Sequence, residues 1–213
     1  MKYDGVIFDV DGTIWNATQA IADSWNECLT GKFGPDCKMI TAAEVQSVMG
    51  LVMQAICDKL FIYYGVENPR ELSDECMRYE AGYIAEHGGI LYDGIEETFA
   101  ALSKECKVCI VSNCDVGYIE GLIKVTGFGK YVIDFESAGG TGLNKAQNIR
   151  LVCERNGIEH PIYVGDTELD MTSAEESGCK FVYASYGFGD ISREQLTISK
   201  PTDLIELYHQ ISE

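Results

Sequence analysis

At 213 residues and 46% hydrophobic content, the chain is long enough for one large domain or a core plus a smaller one, and too apolar for a disordered protein. Its 34 acidic residues against 16 basic ones give a formal net charge of −18, which argues against nucleic acid or an anionic membrane as a partner. The same charge repels phosphorylated molecules at long range, so any anion site has to be built locally, as a divalent cation and one or two well-placed lysines would do.

Gly5 to Phe8 is a short apolar run ended by Asp9, the pattern of a buried parallel strand. From about Thr18 to His87 the periodicity is helical. Ala20, Ile21, Ser24, Trp25, Cys28 and Leu29 form one stripe, and Val52, Ile56, Lys59 and Leu60 suggest another. Thr41-Ala42-Ala43-Glu44 reads as a capping box, Gly65 to Pro69 as a loop, and Glu71 to Glu86 as a further helix. His87-Gly88-Gly89 breaks the chain, and strands and helices then alternate. Strands are expected at 107–111, 131–135, 162–164 and 181–184, and helices at 95–104, 116–125, 145–156, 169–177 and 202–211. That alternation implies an α/β fold with a parallel sheet covered on both faces. The all-helical insert after strand one then forms a second, small domain, with hinges near Asn16 and Gly88-Gly89.

Nine cysteines at irregular spacing do not make a disulfide framework. Cys106 and Cys109 form a C-x-x-C, but in a strand residues three apart face opposite sides, so buried reduced thiols are expected rather than a zinc pair. Met1-Lys2-Tyr3-Asp4 runs straight into the first strand, leaving no room for a signal peptide, and no apolar run approaches the ~20 residues of a membrane span. The expected setting is a reducing one, the cytoplasm.

Four separated segments put polar residues where apolar runs stop. Asp9-Val10-Asp11-Gly12-Thr13 ends the first strand, and Ser112-Asn113 ends the run Val108 to Val111. Asn144-Lys145 opens a helix, and Asp166-Thr167-Glu168-Leu169-Asp170 follows the strand at 162–164. In an open α/β sheet, ligands bind outside the carboxyl ends of the parallel strands. Carboxylates, a hydroxyl and a lysine gathered there suit magnesium and a phosphate. Each piece alone has a plainer explanation. Ser112 also fits a helix N-cap, Lys145 a solvated surface lysine, and Thr167-x-x-Asp170 a helix start. Lys145 breaks a local rule, since the helix dipole disfavours a cation in the first turn, and such violations gather at functional sites.

In this order and wording the four segments resemble the haloacid dehalogenase-like (HAD) superfamily, over nearly the whole chain. The arrangement is similar to its phosphoglycolate phosphatase and β-phosphoglucomutase branch. The resemblance implies a Rossmann-like core at 1–15 and 90–213 with a helical cap at 16–89. It implies that Asp9 attacks phosphorus and that Asp11 protonates the leaving oxygen and then activates water. Ser112, Asn113 and Lys145 would bind phosphate. Magnesium would be held by Asp9, Asp166 and the backbone carbonyl of Asp11, with Thr13 and Asp170 supporting the site from behind. Relatives that break carbon–halogen or carbon–phosphorus bonds lack the second Asp, so the full Asp-x-Asp-Gly-Thr favours phosphoryl transfer. Where many helical-cap members carry an acidic residue, this chain has Ile14-Trp15-Asn16, so Trp15, Asn16 and the cap glycine Gly50 are the candidates for substrate choice.

The function expected is a magnesium-dependent phosphatase of a small phosphorylated metabolite, acting as a monomer or weak dimer. A sugar-phosphate mutase using the same aspartyl-phosphate is the alternative enzyme, and a non-catalytic phosphate-binding regulator the alternative class.

Overall fold

The computed structural model describes residues 2–51 and 53–212. Val52, expected on a cap stripe, therefore lies outside the described residues. Strand β1 (Gly5–Phe8) is wholly buried, with Val6 and Phe8 in one apolar layer and Ile7 in the other, as the two-residue period of a strand requires. A two-residue strand β2 (Trp15–Asn16) follows, and then the helices begin. These are α1 (Thr18–Phe33), α2 (Ala42–Gln46), α3 (Met53–Ile56), which runs on through a π-helical turn at Cys57–Phe61, and α4 (Pro69–His87). The Thr41–Glu44 capping box forms as expected and starts α2.

Strand β3 (Ile90–Leu91) pairs antiparallel with β2, Trp15 opposite Leu91 and Asn16 opposite Ile90. The two connections of the helical insert therefore form one short ribbon. A Cβ on Gly89 would come 2.9 Å from the Trp15 ring and 3.1 Å from the Ala17 Cα, so the close approach of the connections requires glycine there.

The remaining chain is α5 (Ile95–Leu102), β4 (Lys107–Ser112), α6 (Tyr118–Thr126), β5 (Val132–Ser137), α7 (Ala138–Thr141), α8 (Lys145–Asn156), β6 (Pro161–Gly165), α9 (Glu168–Ser177), β7 (Lys180–Ala184), β8 (Leu196–Ile198) and α10 (Asp203–Ser212). Six of the strands make one parallel sheet in the order β5-β4-β1-β6-β7-β8. Renumbered along the core, this is the 3-2-1-4-5-6 order of a doubly wound Rossmann-like sheet. Phe8 pairs with Ile110 on one side and Val164 on the other, so β1 lies at the switch point between the two halves. The crevice at that point opens immediately beyond Phe8, at Asp9.

Phe8, Phe99 and Phe128 pack in series on one face of the sheet as tilted rings, with centroids 4.6 and 5.1 Å apart. Cys106 packs against that layer while Cys109 is buried in the opposite one, and all nine cysteines are free thiols. The cap closes against the core through small residues. A Cβ on Gly121 of α6 would sit 3.2 Å from the Ala85 backbone nitrogen of α4, and one on Gly117 3.2 Å from the Ala81 Cβ. No described helix is long and apolar enough to cross a membrane.

Candidate functional site

The carboxyl ends of β1, β4 and β6 and the first turn of α8 converge at the switch point. Asp9 follows β1 directly, 3% exposed, with its backbone N–H donating to the Val164 carbonyl. Lys145 is the first residue of α8, and Asn144 caps that helix through a reciprocal box with Gln147. The cap turns the Lys145 side chain inward, where it is buried and donates to Asp9 Oδ1 at 2.8 Å and Asp170 Oδ1 at 2.6 Å. Burial disfavours its charge, but the Asp170 and Asp9 carboxylates outweigh that and hold its pKa well above the usual lysine value. The solvated-surface reading of Lys145 is therefore wrong.

Asp170 opens α9 as expected of a helix start, and also faces the site. Its Oδ2 accepts from the Thr167 N–H and hydroxyl, at 2.9 and 2.6 Å, while Oδ1 takes Lys145. Tyr163 donates to the Val111 carbonyl at 2.9 Å and lies 3.5 Å from Asp170 Oδ1. Both oxygens of Asp170 are thus engaged.

Asp166 is fully buried at the end of β6. Its Oδ2 accepts from the Phe188 N–H at 2.7 Å, and its Oδ1 is buried with no hydrogen-bond partner among the described residues. Asp9, Asp166 and Asp170 each present a carboxylate oxygen within 4.8 Å of the others. Burial, reinforced by Asp170 and Asp9, pushes Asp166 up to about 8, and burial pushes Asp9 up to about 6 against the pull of Lys145. Carboxylates packed this closely with one free oxygen fit a divalent cation. Two glycines permit the approach. A Cβ on Gly12, whose φ is +86°, would fall 2.1 Å from Asp166 Oδ2, and one on Gly187 would fall 2.3 Å from the Asp166 Cβ.

Asp11 lies in the turn after Asp9. Its Oδ1 accepts two hydrogen bonds, from the Tyr118 hydroxyl at 2.7 Å and the Trp15 indole N–H at 3.2 Å. Burial pushes its carboxyl up to about 7, opposed chiefly by the Tyr118 hydrogen bond. Thr13 is fully buried, its hydroxyl without a partner among the described residues and its carbonyl accepting from Tyr186 at 3.0 Å. Ser112 ends β4 and lines the cavity above Asp9. Asn113 lines it too, and its side-chain amide donates one N–H to the Gly50 carbonyl at 3.0 Å, which ties that side chain to the cap.

That hydrogen bond brings the cap down over the core. Met49, Gly50 and Leu51 line the cavity, and Gly50, at φ +74°, comes within 3.6 Å of Thr167 when a Cβ is built on it. Trp15 and Asn16, the other two candidates for substrate choice, do not line the cavity. Trp15 is fully buried against Tyr118, and Asn16 accepts from the Thr18 N–H and hydroxyl at the start of α1. An Asx residue before a helix has a local use for its oxygen, and that use wins here.

Sequence reading missed Tyr118, the Phe188 N–H, Tyr163 and the cap residue Glu80. The glycine-rich run Gly187-Phe188-Gly189 just past β7 was the one available signal, since a glycine loop at that sheet edge suits close approach to a ligand.

A family model described as haloacid dehalogenase-like hydrolase matches residues 6–184. A phosphoglycolate phosphatase of Pectobacterium atrosepticum is 21% identical, covering 97% of this chain and 90% of that protein. One of Rhodospirillum rubrum is 23% identical over 86% of this chain and 80% of its own. Among solved structures, a predicted phosphoglycolate phosphatase from Haemophilus somnus superposes with a TM-score of 0.81 at 18% identity, covering 97% of this chain and 98% of that one. A HAD-superfamily hydrolase of subfamily IA from Geobacter sulfurreducens gives 0.74 at 16% identity, covering 97% and 96%. At these identities the structural likenesses show the fold.

Proposed function

We propose, from the premise that this chain belongs to the haloacid dehalogenase-like hydrolase family, that it is a magnesium-dependent phosphatase of small phosphorylated metabolites working through an aspartyl-phosphate on Asp9. The observation that carries the reading is the buried Lys145 between Asp9 and Asp170, beside the unpartnered Oδ1 of Asp166.

Asp9 is the nucleophile. Lys145 engages only its Oδ1 and fixes the carboxylate's orientation, so the group attacks phosphorus without first having to be ordered. The bond to the leaving oxygen breaks as the Asp9–phosphorus bond forms, and Asp11 gives that oxygen a proton. Tyr118 and Trp15 both bind Oδ1 of Asp11, which leaves Oδ2 to carry the proton. Asp11, now a carboxylate, takes a proton from water as the water attacks the phosphoenzyme and frees Asp9 and phosphate. The Ser112 hydroxyl and the Asn113 backbone N–H face the non-bridging oxygens. Magnesium, held by Asp9, Asp166 and the Asp11 carbonyl, would neutralise charge on the transferring group. On this reading residues 1–15 and 90–213 are the catalytic core, and residues 16–89 are a cap that closes over the leaving group.

Asp11→Asn is expected to lower turnover by roughly 10²–10⁴-fold, and unequally. Alkyl phosphates, whose leaving oxygen needs the proton, should suffer far more than 4-nitrophenyl phosphate. Steady-state kinetics on both ester types in parallel would read this, and an equal loss on the two would remove Asp11 as the acid.

The metal has a readout that does not depend on turnover. Asp9, Asp11 and Asp166 are all raised in the folded, metal-free protein, so the native state binds protons more tightly than the unfolded chain. Their contribution is complete below the unfolded carboxylate value of about 4 and is lost as pH rises through about 6 to 8. Thermal unfolding in chelator should therefore show Tm falling over that window. Magnesium should raise Tm at pH 8 more than at pH 5.5, and Asp166→Ala should remove most of that gain. A magnesium response independent of pH and unchanged in Asp166→Ala would place the ion elsewhere.

A further inference from the structure

The cavity above Asp9 and Asp11 has a second, cap-side half that the phosphoryl chemistry does not use. Together with its opening to solvent, the whole takes in about 570 Å³ of atom-free space. Ile21, Val48, Met49, Leu51 and Met77 give the cap side an aliphatic wall. Set into this wall is Glu80 of α4, 8% exposed and contributed by the middle of a cap helix. Its Oε2 accepts from the Trp25 indole N–H at 2.5 Å, and its other oxygen takes no hydrogen bond from any described residue. Asp115 lines the same cavity from the core side. No lysine, arginine or histidine is among the described residues that line it.

An apolar pocket with a buried carboxyl is a chemical filter. The charged groups bearing on Glu80 are Asp11 and Asp115, both acidic. Burial, the larger effect, pushes the Glu80 carboxyl up to about 8 against the Trp25 hydrogen bond. An isolated carboxylate is costly in such a place, and a cation seated against it relieves that cost. Once Glu80 is ionised, a second anion entering the same space would meet two carboxylates and no counter-charge.

We propose that this cavity selects phosphate monoesters whose alcohol part is short, aliphatic and ends in a protonated amine, which donates to the free oxygen of Glu80. The inference rests on the reading of Asp9 as the phosphoryl acceptor and adds what lies beyond the scissile bond. It sets this chain apart from what its similar proteins are named for, because phosphoglycolate ends in a carboxylate and not an amine.

Three esters with two-carbon bodies test it: 2-aminoethyl phosphate, 2-hydroxyethyl phosphate and 2-phosphoglycolate. Their kcat/KM values should fall in that order. The amine should lead the carboxylate by about tenfold or more, mainly through KM, as a charge-assisted hydrogen bond to a buried group provides. Glu80→Gln keeps the size and the acceptor for Trp25 but removes the charge, and should shrink the ratio to within about threefold. A lead for the carboxylate or the hydroxyl ester, or a ratio unchanged in Glu80→Gln, would overturn the proposal. Hydrolysis of 4-nitrophenyl phosphate by the wild type reports separately on the phosphatase reading. Calorimetric titration of the magnesium-loaded Asp9→Asn variant with the same three esters reads selection without turnover. It therefore decides the inference even where no ester is cleaved.

Discussion

Asp9→Asn should leave a folded protein whose phosphatase turnover has fallen by roughly 10⁴-fold or more, to the level of background. Asparagine keeps the shape of the side chain but replaces the attacking oxygen's charge with a neutral amide. The fold should survive because Lys145 retains its 2.6 Å contact with Asp170. Relief of a buried carboxylate already strained upward in pKa also acts in the variant's favour. Circular dichroism and thermal unfolding would establish the fold, and phosphate release with magnesium and a saturating ester the turnover. A variant that is native by the first test and active by the second would remove Asp9 from the role of nucleophile.

Lys145→Ala should do damage of a different kind, to stability as well as to rate. Lys145 is 3% exposed and is the cation recorded in ion pairs with Asp9 and Asp170. Removing one partner of a buried charge cluster leaves the others without compensation, which costs about 3–5 kcal/mol. Denaturant unfolding in chelator should show that loss, and activity should be absent. Lys145→Met, which fills the space without the charge, should recover packing but not the pairing, and should remain inactive. A loss below about 1 kcal/mol for Lys145→Ala would mean the pair is solvent-like and that the carboxylates were never forced together.

Much of this site could be read from the sequence because its residues sit at the ends of buried strands. Apolar runs ended by Asp9, Ser112 and Asp166 mark the carboxyl edge of a parallel sheet, and that edge holds all three. Lys145 announced itself by standing in a helix's first turn, where local electrostatics disfavour it. Short elements were not legible. β2, β3 and β8 have two or three residues each, too few for a period to show, and exist only because a distant segment pairs with them. The same is true of Tyr118, 107 positions from Asp11, and of Glu80, 55 from Trp25. In sequence Glu80 is one more acid on a polar helix, and only the fold turns it inward. Trp15 is a candidate for substrate choice in the sequence because an unusual residue beside a motif invites a functional role. The structure spends its indole on Asp11 instead.

The central claim is a covalent phosphoryl group on Asp9, and the Asp11→Asn variant gives the most direct view of it. Without its acid–base residue the phosphoenzyme should form slowly from a good leaving group and break down more slowly still. Mixing that variant with magnesium and 4-nitrophenyl phosphate, quenching in acid and analysing the peptides by mass spectrometry should locate one phosphoryl group on Asp9. It should be stable in acid and removed by hydroxylamine, as an acyl phosphate is. Release of 4-nitrophenol with Asp9 unmodified, or the phosphoryl group on any other residue, would contradict the account.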